Sequence, residues 1–496
     1  MYVGGETPQH SKYILQSETA SRYNHAQEDS LSKLSEEWVS DLRDLFLAEG
    51  QYTISQGALW AFHPSDNVWR PFTYEEMPRL ASTFLDHKGF QRPGSKGWIP
   101  VIDNINHRRE LAASLWTRES LWDHAFFASA PPGLAVGKQF LVVSPDNIHA
   151  VPLTDKHRVR HALDIELPPN FESLPEPKYY VGALRRMFGD DEDGEKKILA
   201  FQEFVGACRT GIVTSYERCI IMPGGGSNGK STIIMGAAES IFSKHERRSI
   251  VPNFMNQEYY LMQLRDAVLN AVTELPKEQV NCTERFKQII SGEDVTGRPI
   301  REMPVTFKPT AGHIFACNNF PKLSDNSRGM WRRLLVLRSD ASFAKNDGLR
   351  ADLVEQFRKE APQILVWALR GAQRLMRQGD YTFPDSHTEE ERLWRGANDK
   401  VLQFVTKCTK GFDSGWSKAS AACKTYNSWI TDMGFPWTDR MDPSTFGTAL
   451  KHLEGFQSKR QSYGMAYNLV VKPRAEWIDF HSGEGHGEVT LEEEST

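Results

Sequence analysis

Hydrophobic and polar positions divide the chain into five stretches. Residues 1–35, with text such as HSKYILQSETASRYNHAQEDS, are polar and carry no apolar period, which predicts a flexible arm. In LSEEWVSDLRDLFLAEG the apolar residues recur at helical spacing. In ALWAFHPSDNVWRPF and KQFLVVSPDNIHAVPL, short apolar runs flank Pro64–Asn67 and Ser144–Asn147, the residue types of tight turns, and predict two strand–turn–strand units. A small α+β domain over 36–165 follows. The proline- and acid-rich LDIELPPNFESLPEPKYY reads as a linker running over a surface. Across 166–385 helical stretches alternate with apolar strands, the βαβ signature of an α/β domain with a parallel sheet. Over 397–480 three helical patterns (DKVLQFVTKC, SKASAACKTYNSWITDMG, PSTFGTALKHL) precede a strand–turn–strand, FQSKRQSYGMAYNLVV, which predicts a winged-helix-like domain. The acidic tail 481–496 lacks core-forming residues and is expected to be disordered.

Composition narrows the class. At 496 residues the chain exceeds one core, and 40% apolar with 25% charged residues is ordinary for a globular protein. No apolar run approaches the roughly 20 residues of a membrane span, and the opening residues lack a signal-peptide layout, so an intracellular, cytoplasmic protein without membrane partners is expected. The six cysteines include no CxxC pair, so neither a zinc ribbon nor a disulfide framework is suggested. A net charge of −5 argues against a globally basic nucleic-acid coat. Any DNA contact must come from a local strip.

The strongest chemical signal is ERCIIMPGGGSNGKSTIIMGAAESIF. Gly224, four residues, then Gly229-Lys230-Ser231 make GxxxxGK[ST], with an apolar strand before and a helical pattern after. That context lets backbone N–H groups close around phosphate oxygens at a helix N-terminus. The loop residues Gly224, Gly226, Ser227, Asn228, Gly229, Lys230, Ser231 and Thr232 are the candidate ATP contacts, with Lys230 on the β- and γ-phosphates and Ser231 on Mg²⁺. Forty-four residues after Lys230, the apolar AVLNAVT ends in Glu274. A carboxylate at the C-terminal end of a sheet strand can hold the Mg²⁺ shell, partly through water, or polarise the attacking water.

Five segments in order, GGGSNGKST, NAVTELP, FKQIISGEDVTGRPIREMPVTFKPT, IFACNNFP and GMWRRLLVL, fall within about 115 residues. In this the chain resembles the superfamily 3 helicases, specifically their phage, plasmid and poxvirus-like primase-helicase branch. The resemblance implies an AAA+-like P-loop ATPase core and a ring, commonly a hexamer, that works on single-stranded and forked DNA. It also implies possible dealings with a replication initiator, primase or polymerase. Asn318, at the end of HIFAC, takes the place of the polar sensor of γ-phosphate or lytic water, with Asn319 as its competitor. Arg332 and Arg333 take the place of the arginine that reaches a neighbouring subunit's nucleotide. Arg333 has the better spacing from Asn318, and sequence does not separate the two. SGEDVTGRPIREMPVTFKPT resembles the pore hairpin, with its turn near Gly297 to Glu302.

Between Thr283 and Arg338 there are ten Lys or Arg against five acids, which is the local basic strip. Arg298, Arg301 and Lys308 are its candidate phosphate contacts, and Lys287 is a candidate for nucleotide or DNA. Lys459 and Arg460 fall on the wing of the C-terminal domain, a usual DNA-contacting position. The N-terminal block shows no acidic strand pair for two-metal nucleotidyl transfer, so primer synthesis is not expected and a collar-like role is. GDDEDGE at 189–195 reads as a solvated loop. The leading reading is a ring-forming DNA helicase. A nucleotide-switched replication initiator is the alternative within the same chemistry, and a P-loop kinase is the third.

Overall fold

A computed structural model describes residues 36–478 apart from 49, 73–75, 77–90, 95–96, 101–104, 128, 226–228, 276–282, 300–303, 324, 326, 340–349, 436 and 454. The expected arm 1–35 and tail 481–496 lie outside them. The chain divides into two compact units between Ser129 and Ala130.

In the first unit the helix Glu36–Ala48 precedes an antiparallel meander of Tyr52–Ser55, Ala58–His63 and Val68–Phe72. Asn67 takes a left-handed φ of 55° and donates its N–H to the His63 carbonyl (2.8 Å), closing the turn that Pro64–Asn67 predicts. Ala58, Trp60, Trp69 and Phe127 form the meander's small core.

The second unit is built on a five-stranded parallel sheet. Its strands in chain order are β1 (Cys219–Pro223), β2 (Arg247–Arg248), β3 (Leu269–Val272), β4 (Gly312–Cys317) and β5 (Leu334–Val336). They lie in the spatial order β2-β3-β4-β1-β5, all pairs parallel. Because side chains alternate across a strand and both faces are covered, the central β1 and its neighbour β5 read as unbroken apolar runs. Ile220 and Met222 face one core with Ile314 and Ala316; Cys219 and Ile221 face the other with Phe315 and Cys317. β2 is too short to pair fully with β3, and the buried Asn270 amide substitutes by bonding both the N–H (2.7 Å) and C=O (2.9 Å) of Ile250.

The unit boundary differs from the expected one at residue 165. The strands Gly133–Val136, Gln139–Val143, Ile148–Pro152 and Ala162–Leu163 form one sheet within the second unit. Leu134, Val136, Leu141, Val143, Ile148 and Leu163 are buried in the same core as the helices Glu192–Thr210 and Ala361–Gln378, so this sheet does not stand alone. The following linker is fastened too: Phe171 is buried, and Arg370 donates to the carbonyls of Glu172 (2.7 Å) and Leu174 (2.8 Å).

The acidic run 189–195 is not a loop. Asp191 caps the helix Glu192–Thr210 by accepting from Gly194 N–H (2.7 Å), and three further acids occupy its positive first turn. Residues 400–478 run helix Lys400–Cys408, strand Thr409–Lys418, helices Ala419–Asp432 and Pro443–Leu450, then the hairpin Ser458–Gln461/Gly464–Val471. The strand Thr409–Lys418 has no apolar alternation; left-handed Gly411 and Asp413 break its register, and pairing with Gly464–Val471 holds it. The five described cysteines are buried and unpaired. No helix among the described residues is long and apolar enough to cross a membrane.

The helices Glu192–Thr210 and Ala361–Gln378 cross at Gly206 and Gly371, where an added Cβ on Gly206 would lie 2.0 Å from the Ala368 carbonyl oxygen. Gly206→Ala should therefore force the helices apart and cost about 1–3 kcal/mol in urea unfolding, as overpacking does; unchanged stability would mean that the crossing is loose.

Candidate nucleotide and nucleic-acid site

β1 ends at Pro223 on the C-terminal edge of the sheet. Buried Gly224 continues its line by donating to the Cys317 carbonyl (3.1 Å). Gly226, Ser227 and Asn228 lie outside the described residues. The helix Lys230–Ile241 starts from Gly229, whose φ of 77° suits glycine. Among the described residues no side chain caps this helix and no acid stands in its first turn, so its positive end can receive an anion. Ser231 and Thr232 are half-buried in that turn. Lys230 is buried, with Nζ donating to the carbonyls of Gly224 (2.8 Å) and Gly225 (3.1 Å); burial lowers its pKa. A buried ammonium beside an uncapped helix start has the chemistry of a phosphate seat.

The sheet register brings Glu274 and Asn318 to the same edge. Val272 of β3 pairs with Phe315 of β4, and Leu275 N–H extends the pairing to the Ala316 carbonyl (2.7 Å). That bond is one residue out of the Val272–Phe315 register, so the bend that holds Glu274 lies beside the end of β4, where Cys317 pairs with Pro223. Glu274, Asn318 and Asn319 are exposed at this row. Cys317 between them is buried, its thiol pushed up to about 12 by that burial, and it serves as packing.

The two arginines are at the opposite edge. Cys219 N–H, at the start of β1, donates to the Arg333 carbonyl (2.8 Å), and β5 follows. The five residues of β1 separate them from the phosphate loop by about 16 Å at 3.3 Å per residue. Neither reaches the loop of its own chain. Their environments also reverse the preference that spacing gave to Arg333. That side chain is buried, with Nε and Nη2 donating to Ser291 Oγ (3.0 and 2.6 Å) and Nη1 to the Gly329 carbonyl (2.6 Å). Arg332 is exposed, with a single ion pair to Glu217 (2.9 Å), and its carbonyl accepts from Arg218 Nη1 (2.6 Å). The signal for this inversion is Trp331: with it and Met330 in the core, the next residue turns out and the following one turns in.

Strands Val295–Gly297 and Val305–Phe307 form the expected hairpin, with Thr296 and Thr306 hydroxyls 2.9 Å apart. Gly297 packs on the helix Glu258–Met262, where a Cβ would meet Met262 Sδ at 2.8 Å. Arg298 is exposed on the tip side of the pairing and Lys308 at its root, just after Phe307; Arg301 lies outside the described residues. Lys287 is held by Glu284 (2.8 Å) and Asp325 (3.1 Å) and belongs to the hairpin's supporting helix. Lys459 and Arg460 are exposed on the strand Ser458–Gln461, Lys459 with its ammonium 3.8 Å from the centre of the Trp416 ring. The sequence reading missed Glu217, Arg218 and Ser291. Only Ser291-Gly292, a helix-ending pair, carries a local signal.

A family of unknown function (DUF5906) matches residues 222–333, a span running from the end of β1 through the loop, β3, the hairpin and β4 to Arg333. "Putative helicase L207/L206" of Acanthamoeba polyphaga mimivirus is 24% identical over 171 residues, 33% of this chain and 17% of that protein. "Putative primase C962R" of African swine fever virus (isolate Warthog/Namibia/Wart80/1980) is 27% identical over 131 residues, 25% of this chain and 14% of that protein. The matches thus span less than a fifth of either viral protein. The solved apo structure of the NrS-1 C-terminal region aligns with 87% of this chain and 98% of its own at 10% identity and a TM-score of 0.45. Over the matched segments the chain is similar to viral proteins named helicase and primase.

The two arginines should differ in what they do for stability. Arg333→Ala removes charged donors from buried acceptors and should cost about 1.5–3 kcal/mol in urea unfolding, whereas Arg332→Ala removes an exposed ion pair and should stay within about 0.5 kcal/mol. The reverse ranking would overturn the assignment of which side chain is anchored.

Proposed function

We propose that this chain is an ATP-dependent nucleic-acid motor of the superfamily 3 helicase type, working as a ring on single-stranded DNA. The observation that carries the reading is the placement of the phosphate loop and the exposed Arg332 at opposite ends of one parallel sheet. A site that needs both must draw them from two copies. Similarity to viral proteins named helicase and primase supports the nucleic-acid half of the reading. A P-loop kinase would have no use for an arginine displayed at the far edge.

In this reading the loop and the first turn of the helix Lys230–Ile241 hold the triphosphate, with Lys230 swinging from the Gly224 and Gly225 carbonyls to the β- and γ-phosphates. Ser231 holds Mg²⁺ directly and Glu274 through water. Bound ATP and Mg²⁺ supply the phosphoanhydride to be cleaved and the charge neutralisation that cleavage needs. Glu274 orients and deprotonates the attacking water, and Asn318 fixes its position by a hydrogen bond. Arg332 of one copy stabilises the charge that develops in its neighbour's site. Arg298 and Lys308, together with Arg301 of the same segment, hold the phosphate backbone of a threaded strand by sequence-independent contacts. The helix–strand–helix–helix–hairpin order of residues 400–471 supports a winged-helix reading, with Lys459 and Arg460 as contacts to duplex DNA at a fork.

Two outcomes check the chemistry. Lys230→Ala should abolish ATP hydrolysis, and Glu274→Gln should bind ATP while losing turnover; a Glu274→Gln chain that hydrolyses ATP at the wild-type rate removes Glu274 from the site. When Lys230→Ala and Arg332→Ala subunits, each inactive alone, are mixed, ATP turnover should partly return, because the intact loop of an Arg332→Ala subunit can borrow the arginine of a Lys230→Ala neighbour. No recovery on mixing would mean that no arginine is shared.

A further inference from the structure

The buried Arg333 sits where three functional segments meet. The helix Thr283–Ile290 ends in a doubly bonded cap: Glu293 N–H donates to Gln288 O (2.9 Å), Gly292 N–H to Ile289 O (3.2 Å), and Gly292 takes a φ of 62°. Ser291 is the last residue before that left-handed glycine. Its hydroxyl receives two of the Arg333 donors, while the third holds the Gly329 carbonyl at the start of the arginine element. Four residues after Ser291, the buried Val295 opens the first hairpin strand. A Cβ on Gly292 would lie 2.8 Å from Thr214 Cβ, so the same turn rests on the 3-10 helix Val213–Tyr216 that leads into β1. From that lead-in come Glu217, bridging Arg332 (2.9 Å) and Arg333 (3.5 Å), and Arg218, which holds the Arg332 carbonyl and is itself fixed by Asp380 (3.1 Å at both oxygens). The arginine element, the root of the hairpin and the root of the phosphate-loop strand are therefore joined by short, partly buried hydrogen bonds and close backbone packing.

On the reading that Arg332 serves a neighbouring copy's nucleotide and that the hairpin holds DNA, we propose that Arg333 is a positioning residue that couples the two through Ser291. A shift of Arg332 toward a neighbour's phosphates moves residues 329–333 as one piece, because Arg333 bonds to Gly329 within that piece. Ser291 is bound to the same guanidinium and cannot stay behind without leaving it unsatisfied in a buried place. The left-handed Gly292 is the joint at which the helix Thr283–Ile290 stays fixed and the strand from Val295 turns. Engagement of a neighbour's nucleotide is in this way delivered to the hairpin root, and a pull on the hairpin by DNA is delivered back to Arg332, as reciprocity of coupling requires.

Ser291 touches neither nucleotide nor DNA in this arrangement, so its variants isolate the link. ATP turnover of the full chain is measured with and without an oligo(dT) strand for wild type, Ser291→Ala and Ser291→Thr. The quantity read is the ratio of DNA-stimulated to basal turnover, which does not depend on how much of each protein is folded. Ser291→Ala should keep the basal rate and the KM for ATP, bind oligo(dT) as wild type does, and lose stimulation by about fivefold or more, the usual scale of a coupling between sites. Ser291→Thr keeps the hydroxyl and should restore it. Undiminished stimulation in Ser291→Ala, or an equal fall of basal and stimulated rates, would overturn the proposal. A wild-type chain whose turnover ignores DNA would instead sink the motor reading itself.

Discussion

The strand Cys219–Pro223 is hydrogen-bonded along both edges, to Gly312–Cys317 on one side and Leu334–Val336 on the other, and all three run the same way. Parallel pairing gives a sheet two unlike ends, and the residues proposed to act on phosphate are sorted between them. At the C-terminal end Pro223 pairs with Cys317, and the bend after β3 sets Glu274 beside them, so that the loop, a carboxylate and the Asn318 amide share one end. At the N-terminal end, the bond from Cys219 N–H to the Arg333 carbonyl ties the arginine pair to the strand whose far end carries the loop. The length of β1 is what forbids a self-contained site.

That constraint is held by the sheet's hydrogen bonds and by packing on both of its faces. Alternate residues of β1 and β4 enter two separate apolar cores, one shared with the helices behind the sheet and the other with the hairpin's supporting helix and Trp331. A slip of one residue in any pair would exchange the two faces and move the catalytic row with them. The polar exceptions are few and bonded: Asn270 completes the short edge of β3, and His387 Nδ1 accepts from Val336 N–H (3.1 Å) on the open edge of β5. Burial pushes the His387 imidazole down to about 4, which keeps it in the neutral form that this acceptor role needs.

The sequence carried the loop, the acidic strand, the hairpin and the tight turns legibly, because each depends on residue types at short fixed spacing. Gly229, Asn67 and the Gly292 that ends the helix Thr283–Ile290 sit where left-handed backbone is required. Misjudged features depend on distant partners. The strand Thr409–Lys418 exists only through Gly464–Val471, and the sheet from Gly133 to Leu163 joins the second unit through a core whose other residues lie beyond Lys178. The acids at 189–195 look solvated until Asp191 is seen to start a helix. Arg332 and Arg333 are alike as text, and only the burial of Arg333 against the acceptors on Ser291 and Gly329 tells them apart.

The central claim is that the working nucleotide site is divided between copies of this chain. Sedimentation of the purified protein with and without a non-hydrolysable ATP analogue and Mg²⁺ tests it most directly. The account predicts that the analogue drives wild-type protein into a closed assembly and that Arg332→Ala, which still binds the analogue, assembles less completely at the same concentration. A wild-type chain that binds the analogue with high affinity and sediments as a monomer at every concentration would contradict it.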